Sequence, residues 1–332
     1  MAAPHTTAPI EIYVDPANFV RERERIFAKT WQFLGLEADL GRPGDYIAQV
    51  LAGYPVMVVR NEKGILKGFH NVCRHRAGPL VGEEKGRCDH EFVCRFHDWR
   101  YSFDGQLKEA TGFGPVEGVT LHDLGLFPIK VETWRGFVFV NLDVNAPPLA
   151  QLFQPLDEKL GHQPHRSARV RDHHSVACNW KVYVENYLDG YHREGVHPAL
   201  ASKAGAQRID IHMHGEVALC EVPKGARGSG GLWSWIWPNL GINVYRGVLL
   251  LEHMRPDGAG RTQIEHVFLH EPEDPSVDAA ISNSERITEE DSWICEHVQQ
   301  NLNAGVYKQG ILSPSHEDAV AWFQTRVAQV TG

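Results

Sequence analysis

Cys73-Arg-His75 and Cys94-Arg-Phe-His97 place two thiols and two imidazoles on two short segments. Four such donors delivered by two loops can hold a single tetrahedral zinc or a two-iron, two-sulfide cluster. The spacing bears on that choice. Structural zinc sites more often use C-x-x-C knuckles, or two cysteines followed by two histidines, whereas here each cysteine travels with its own histidine. A cluster with two cysteines on one iron and two neutral imidazoles on the other has a raised reduction potential. Further along, Asp189-x-x-His192-x-x-x-x-His197 offers a second set. Two neutral imidazoles and one remote carboxylate make a facial triad for iron(II), with coordination positions left open for O2. A lone histidine is more often a satisfied polar group in a core; a pair with an acid beside it, downstream of a sulfur–imidazole set, favours metal.

These groups need elements to hold them. Asp189, three residues before His192, would share a helical face with it, and Gly195 and Pro198 put His197 where that helix breaks. Pro16 to Trp31 reads as an amphipathic helix, with Phe19, Val20, Ile26, Phe27 and Trp31 at helical spacing. From there to about Asp143, short β-runs such as Val56–Arg60 and Gly136–Asn141 alternate with Gly, Pro and Asp turns. Both Cys/His pairs are expected at the tips of β-hairpins. Asn145-Ala-Pro-Pro148 reads as a linker. Beyond it come a strand over 168–177, a helix from Trp180 to about Tyr191, and long β-runs over Ile209–Glu221, Leu232–Val244, Val248–Arg255 and Gln263–Leu269. Helices follow over about Ser276–Asn303 and Glu317–Val330. Strand runs flanked by helices, without βαβ alternation, indicate α+β with an antiparallel sheet.

The chain has 332 residues, enough for two cored domains, with 42% hydrophobic and 23% charged residues. Its formal charge of −9 argues against nucleic acid. An acidic surface would suit a basic redox partner, although solubility is its plain reading. No apolar run approaches the ~18 residues that would span a bilayer. Met1–Thr7 lacks a basic and then apolar leader, so a cytoplasmic location is expected. Six scattered cysteines do not form a secreted disulfide framework. Cys88 reads as a spectator, and Cys178, Cys220 and Cys295 as buried small hydrophobes.

Cys-Arg-His-Arg at 73–76, and Cys94-x-x-His97 followed by Trp99 and Asp104-Gly105, resemble the Rieske non-haem iron oxygenases over nearly the whole chain. The resemblance implies an N-terminal all-β Rieske [2Fe–2S] domain and a C-terminal helix-grip-like catalytic domain. The boundaries expected are 1–40 for a helical segment packing on the catalytic domain, 41–146 for the cluster domain and 147–332 for the catalytic domain. It implies that Cys73, His75, Cys94 and His97 hold the cluster and that His192 and His197 bind a mononuclear Fe(II). Asp189 is then a bridge to a cluster histidine, His97, of a neighbouring subunit in a homotrimer. Thr288–Gln299 resembles the family's late Glu-Asp…Glu…Gln helix, which selects Asp291 as third iron ligand. Glu290 and Asp318 are the alternatives, and a solvated acidic helix start is the plain reading.

Electrons would come from a separate NAD(P)H-dependent reductase, directly or through a ferredoxin, and O2 would hydroxylate a small organic substrate. No G-x-G-x-x-G fingerprint occurs, which agrees with an external reductase. There are departures from the family: Arg95-Phe96 replaces the usual Pro-Tyr, and Asp98 the usual Gly. Gly78 and Phe96 stand where chloroplast and mitochondrial Rieske proteins carry a supporting disulfide. Leu232–Tyr245 resembles the Pro-Asn strand of choline-monooxygenase-like members, and Glu185–Asp189 is one residue shorter than in the naphthalene-dioxygenase group. An aromatic-lined pocket suits a quaternary amine or an aromatic ring. Two rival readings are a Rieske electron carrier with an inactive second domain and a zinc-stabilised binding protein.

Overall fold

The computed structural model describes residues 6–115, 117–161, 168–197, 211–225, 228–245, 247–271 and 277–332. Expected features at Pro198, Ile209 and Ser276 lie outside the described residues. The chain forms two compact units, Phe27–Gln151 and the residues up to Ile26 together with Leu152–Gly332.

The first unit is all-β. Strands β1 (Gln32–Leu36), β2 (Asp45–Leu51), β3 (Tyr54–Arg60), β4 (Leu66–His70), β5 (Lys85–Arg87), β9 (Pro128–Trp134) and β10 (Phe137–Asn141) form one sheet in the order β1-β10-β9-β4-β3-β2-β5. β6 (Phe92–Val93), β7 (Arg100–Tyr101) and β8 (Leu107–Glu109) form a small second sheet. Ala52-Gly53 and Arg135-Gly136, all at positive φ, close the β2–β3 and β9–β10 hairpins. Two-residue loops with this conformation match the right-handed twist of the strands they join. The expected N-terminal boundary at residue 40 is corrected by β1. It pairs antiparallel with β10, so Phe27–Leu40 belongs to this unit.

The second unit is built on a seven-stranded antiparallel sheet. Its strands are β11 (Ala168–Val176), β12 (His212–His214), β13 (Val217–Gly225), β14 (Gly228–Ile236), β15 (Leu240–Tyr245), β16 (Val248–Pro256) and β17 (Thr262–His270), in the order β11-β17-β16-β15-β14-β13-β12. The run expected over Leu232–Val244 is two strands, because Trp237-Pro238-Asn239 turns the chain between β14 and β15. Helices α1 (Glu11–Val14), α2 (Pro16–Glu22), α3 (Leu149–Leu160), α4 (Trp180–Leu188), α5 (Arg193–Val196), α6 (Val277–Asn303) and α7 (Asp318–Thr331) complete the described secondary structure of the α+β chain, beside short 3-10 and π turns. Trp235 and Trp237 are buried and meet Trp322 and Phe323 of α7 edge-on or tilted, at 5.8–6.1 Å between ring centres. These rings are core. No described helix is long and apolar enough to cross a membrane.

The N-terminal segment is clamped to α4. Asp15 caps α2 by accepting from the Ala17 N–H, with Pro16 at the first helical position. A wider turn over Arg23–Phe27 then ends the helix before Trp31, shorter than its periodicity suggested. Glu22, 1% exposed, accepts from Trp180 Nε1 at 2.8 Å and from the fully buried Lys181 ammonium. One turn along α4, Glu185 accepts from the Tyr13 hydroxyl at 2.7 Å and from the Gln324 amide at 3.0 Å. Burial pushes the Glu185 carboxyl up to about 7 despite those two donors.

Removing one partner of a buried pair leaves the other charged and desolvated, so Glu22→Ala should cost about 3–5 kcal/mol of stability by urea unfolding. A loss below 1 kcal/mol would show that Lys181 finds another partner. Glu185 binds its proton more tightly folded than unfolded. Its contribution is therefore greatest below pH 4.5 and is lost as pH rises to about 7. Glu185→Gln should remove a fall in stability on the order of 3 kcal/mol across that window. Parallel pH profiles for the two proteins would contradict the assignment.

Candidate metal centres

The first centre forms at two matching turns. In each, the residue after the histidine's segment closes back on the cysteine: Ala77 N–H donates to the Cys73 carbonyl at 3.0 Å and Asp98 N–H to the Cys94 carbonyl at 2.9 Å. Cys73 N–H then donates to Gly78 and Cys94 N–H to Trp99, at 2.8 and 2.9 Å. Ala77 and Asp98 take the left-handed conformation, φ 56° and 55°. Asp98 thus does what the family's usual glycine does, since aspartate tolerates this region better than most residues. The Cys94 turn joins β6 to β7, a hairpin as expected. The Cys73 turn does not sit on a hairpin. Its flanking strands β4 and β5 are not neighbours, and the turn closes through its own Cys73–Gly78 bond.

Both thiols are buried in the apolar cluster with Phe92, Trp99, Tyr101 and Phe103, while His75 is half-buried and His97 exposed. The His75 and His97 rings lie 4.4 Å apart, and His75 stacks on Trp99 at 4.8 Å. Tyr101 Oη lies 3.3 Å from Cys73 Sγ. Burial, His97 and Arg76 hold His75 below the usual imidazole range, favouring the neutral ring a ligand must be. The buried His75 Nδ1 has no hydrogen-bond partner among the described residues. A buried nitrogen without a partner is costly unless a metal takes its lone pair, so these four residues fit a two-iron cluster. A Cβ on Gly78 would meet Phe96 Cβ at 3.3 Å and Cys94 Sγ at 3.0 Å. The positions of the supporting disulfide thus face each other, and all six cysteines are free thiols. Phe96 lies 4.1 Å from His97 and under the Arg76 guanidinium at 4.9 Å.

The second centre forms where α4 ends. The helix stops at Leu188 and Asp189 is already extended (φ −88°, ψ 108°), so the i,i+3 helical pairing expected for Asp189 and His192 is replaced by a turn. Asp189 Oδ1 accepts from the Tyr191 N–H at 2.6 Å, and its Oδ2 stands 3.4 Å from His192 Nδ1. His192 and His197 flank the short helix α5. Their Nε2 atoms are 3.3 Å apart. Asp291, on α6, completes the set with Oδ1 at 3.1 Å from His197 Nε2 and 3.6 Å from His192 Nε2. That oxygen is buried and makes no well-directed hydrogen bond. Two imidazole nitrogens and a carboxylate oxygen therefore face one common point, which fits a single metal ion.

The neighbouring acid has a different task. Glu290 accepts from His197 Nδ1 at 2.6 Å and is itself held by Arg286 one turn back at 2.8 Å. It orients the His197 ring from behind. The spacing Arg286…Glu290 is the i,i+4 signal that could have separated it from Asp291. Asp318 starts α7 and is not among the residues brought together here. Burial lowers the His197 pKa, but the carboxylates of Asp291 and Glu290 override it and leave the ring raised.

A cavity of about 900 Å³ opens onto this triad. Tyr187 and Trp233 stack on its wall at 5.0 Å, and Tyr187 donates to Ser234 O and Asn243 Oδ1, both at 3.1 Å. A Cβ at Gly241 would strike the Tyr187 hydroxyl, so that strand residue must be small.

Residues 164–229 and 203–332 match the ring hydroxylating alpha subunit (catalytic domain) family, and residues 30–120 match the Rieske [2Fe–2S] domain. The chain belongs to the Rieske ring-hydroxylating oxygenases. It is a terminal oxygenase, an oxidoreductase whose cofactors are a [2Fe–2S] cluster and a mononuclear iron, and the reading as an electron carrier alone has no support. It is 28% identical to the carnitine monooxygenase oxygenase subunit of Escherichia coli (strain K12), over 98% of this chain and 93% of that one. It is 27% identical to chloroplastic choline monooxygenase of Arabidopsis thaliana, over 92% and 78%. The quaternary ammonium Rieske monooxygenase CntA superposes with a TM-score of 0.85 at 27% identity, covering 99% and 96% of the two chains. Naphthalene 1,2-dioxygenase shares the fold, with a TM-score of 0.76 at 21% identity.

Glu290→Ala should lower Fe(II) affinity about 10–100-fold, since outer partners of metal-bound imidazoles carry that much, and leave the cluster absorbance intact. Iron retention equal to the parent under chelator challenge would show that Glu290 does not hold His197.

Proposed function

We propose that this oxygenase hydroxylates a small quaternary ammonium compound at an iron held by His192, His197 and Asp291. The observation that carries the reading is the meeting of those three ligand atoms at the edge of a cavity walled by the stacked Tyr187–Trp233 pair. Aromatic faces attract a trimethylammonium group through their negative π surface, by roughly 0.5–2 kcal/mol each. Glu252 on the cavity lining adds negative charge, while Glu221 there is paired with Lys159. The relatives named for choline and carnitine support the same substrate class.

When bound, the iron supplies O2 activation and the cluster at Cys73, His75, Cys94 and His97 supplies electrons one at a time. The protein's own part is to hold and orient. Glu290, fixed by Arg286, turns His197 so that Nε2 faces the ligand triangle. Asp189, pinned by the Tyr191 N–H, stands behind His192 with its Oδ2 3.4 Å from Nδ1. Its accessible edge is the bridge to His97 of a neighbouring subunit, and the exposure of His97 supports this. The unit is then a homotrimer. A structure of the quaternary ammonium Rieske monooxygenase is described as revealing inter-subunit electron transfer in that protein. A separate NAD(P)H-dependent reductase in the cytoplasm delivers the electrons.

With such a reductase, trimethylammonium compounds should stimulate O2 consumption and simple aromatic carboxylic acids should not. Asp189→Asn should retain both metals while slowing single-turnover cluster oxidation about 10–100-fold. Stimulation by aromatic acids alone would move the substrate class, and unchanged cluster oxidation in the variant would take Asp189 out of the electron path.

A further inference from the structure

The catalytic sheet carries a second group of metal-ligating side chains. Asp172 and His174 lie two residues apart on β11, so they share a face, and His266 is the register partner of Asp172 on the adjacent β17. One ligand atom from each of the three lies within 4.8 Å of the others. His174 Nε2 is 2.6 Å from Asp172 Oδ2, and the His174 and His266 rings meet edge-on at 5.7 Å between centres. One strand further, Glu252 of β16 is in turn the register partner of His266, and its Oε2 stands 3.6 Å from His266 Nε2. Its other oxygen accepts from the Tyr183 hydroxyl at 3.2 Å.

His266 gives this group its direction. Its side chain is 1% exposed, and its Nε2 has no hydrogen-bond partner among the described residues. A buried imidazole nitrogen without a partner is costly unless something takes its lone pair. On the open side, Asp172 and His174 are 31% and 26% exposed, so an ion has a path in. A tetrahedral ion with bonds near 2.0–2.1 Å needs ligand atoms about 3.3 Å apart. The Asp172–His174 contact must open by several tenths of an ångström to reach that spacing, and the Glu252–His266 one must close by less.

We propose that Asp172, His174 and His266, with the Glu252 carboxylate alongside, form a second divalent-cation site, distinct from the iron triad. Two imidazoles with carboxylates and no thiolate suit a borderline ion of the zinc class rather than calcium or magnesium, which prefer all-oxygen sets. The ligands come from three adjacent strands, so the site is preformed by sheet register and needs no loop to fold around the ion.

The test uses the holoenzyme with cluster and Fe(II) in place, equilibrated with chelator-buffered Zn2+. Zinc, iron and sulfide are counted by elemental analysis, and the zinc shell is read by X-ray absorption. The expected result is one equivalent of zinc without loss of iron, in a shell of nitrogen and oxygen only. Asp172→Asn/His174→Gln, on the exposed side, should weaken zinc at least as much as the roughly 10–100-fold that losing an outer partner costs, with iron and cluster retained. His266→Gln should do the same from the buried side. Zinc gained only as iron is lost, a sulfur-containing shell, no zinc equivalent at all, or zinc uptake equal to the parent in both variants would each overturn the proposal.

Discussion

The catalytic unit is organised around three side-chain atoms, two imidazole nitrogens and one carboxylate oxygen, that converge on one point. Two imidazole nitrogens and the Asp291 oxygen crowd to within 3.1–3.6 Å of each other. Without a cation this arrangement desolvates a carboxylate for no well-directed hydrogen bond, so the rest of the fold must hold it open. Glu290 does so by its hydrogen bond behind the His197 ring, Arg286 steadies Glu290, and Asp189 stands 3.4 Å behind His192. The long helix α6 is the rigid arm that brings Asp291 to a histidine pair almost a hundred residues earlier in the chain.

That requirement gives the N-terminal segment a purpose. The residues proposed to bind iron start just past the C-terminal end of α4, so any freedom in α4 would become freedom in His192. Its first turn is held by the Glu22–Lys181 ion pair and the Trp180 indole, its middle by Glu185, Tyr13 and Gln324. Buried ion pairs contribute little net stability against an apolar alternative. Their directionality can still fix one position along a helix, which apolar contacts alone do less sharply. Here the pair sets where along α4 the N-terminal segment docks.

Sequence reading captured whatever is decided locally. The four residues proposed to hold the cluster lie within two short runs, and the turn around each is closed by bonds spanning five or six residues, so spacing alone points to them. Asp98 at positive φ explains why a departure from the family pattern leaves the turn intact. Features decided by distant contacts were less accessible. Residues 27–40 look helical or irregular until β10 is available to pair with β1. Glu290 and Asp291 are adjacent acids, and only the rotation of α6 against His197 tells the proposed ligand from its support. Among the tryptophans, Trp233 faces the cavity beside Tyr187 whereas Trp235 and Trp237 lie under α7, a distinction that depends on where two helices cross the sheet.

Among the described residues, the two candidate groups of metal-ligating side chains in the catalytic unit also differ in how their geometry is made. The proposed iron triad draws on a turn, a helix cap and a helix from another part of the chain, so its ligand spacing can adjust by small rotations of α5 or α6. An open coordination site that must admit O2 and tolerate a nearby substrate benefits from that freedom. The Asp172–His266–Glu252 row is set by backbone pairing across three strands, and strand spacing varies little. Side chains fixed in this way suit a closed site that holds its ion without turnover. A chain that needs one adjustable metal and one immobile one would place them as they lie here, the first beyond the end of a helix and the second on the body of the sheet.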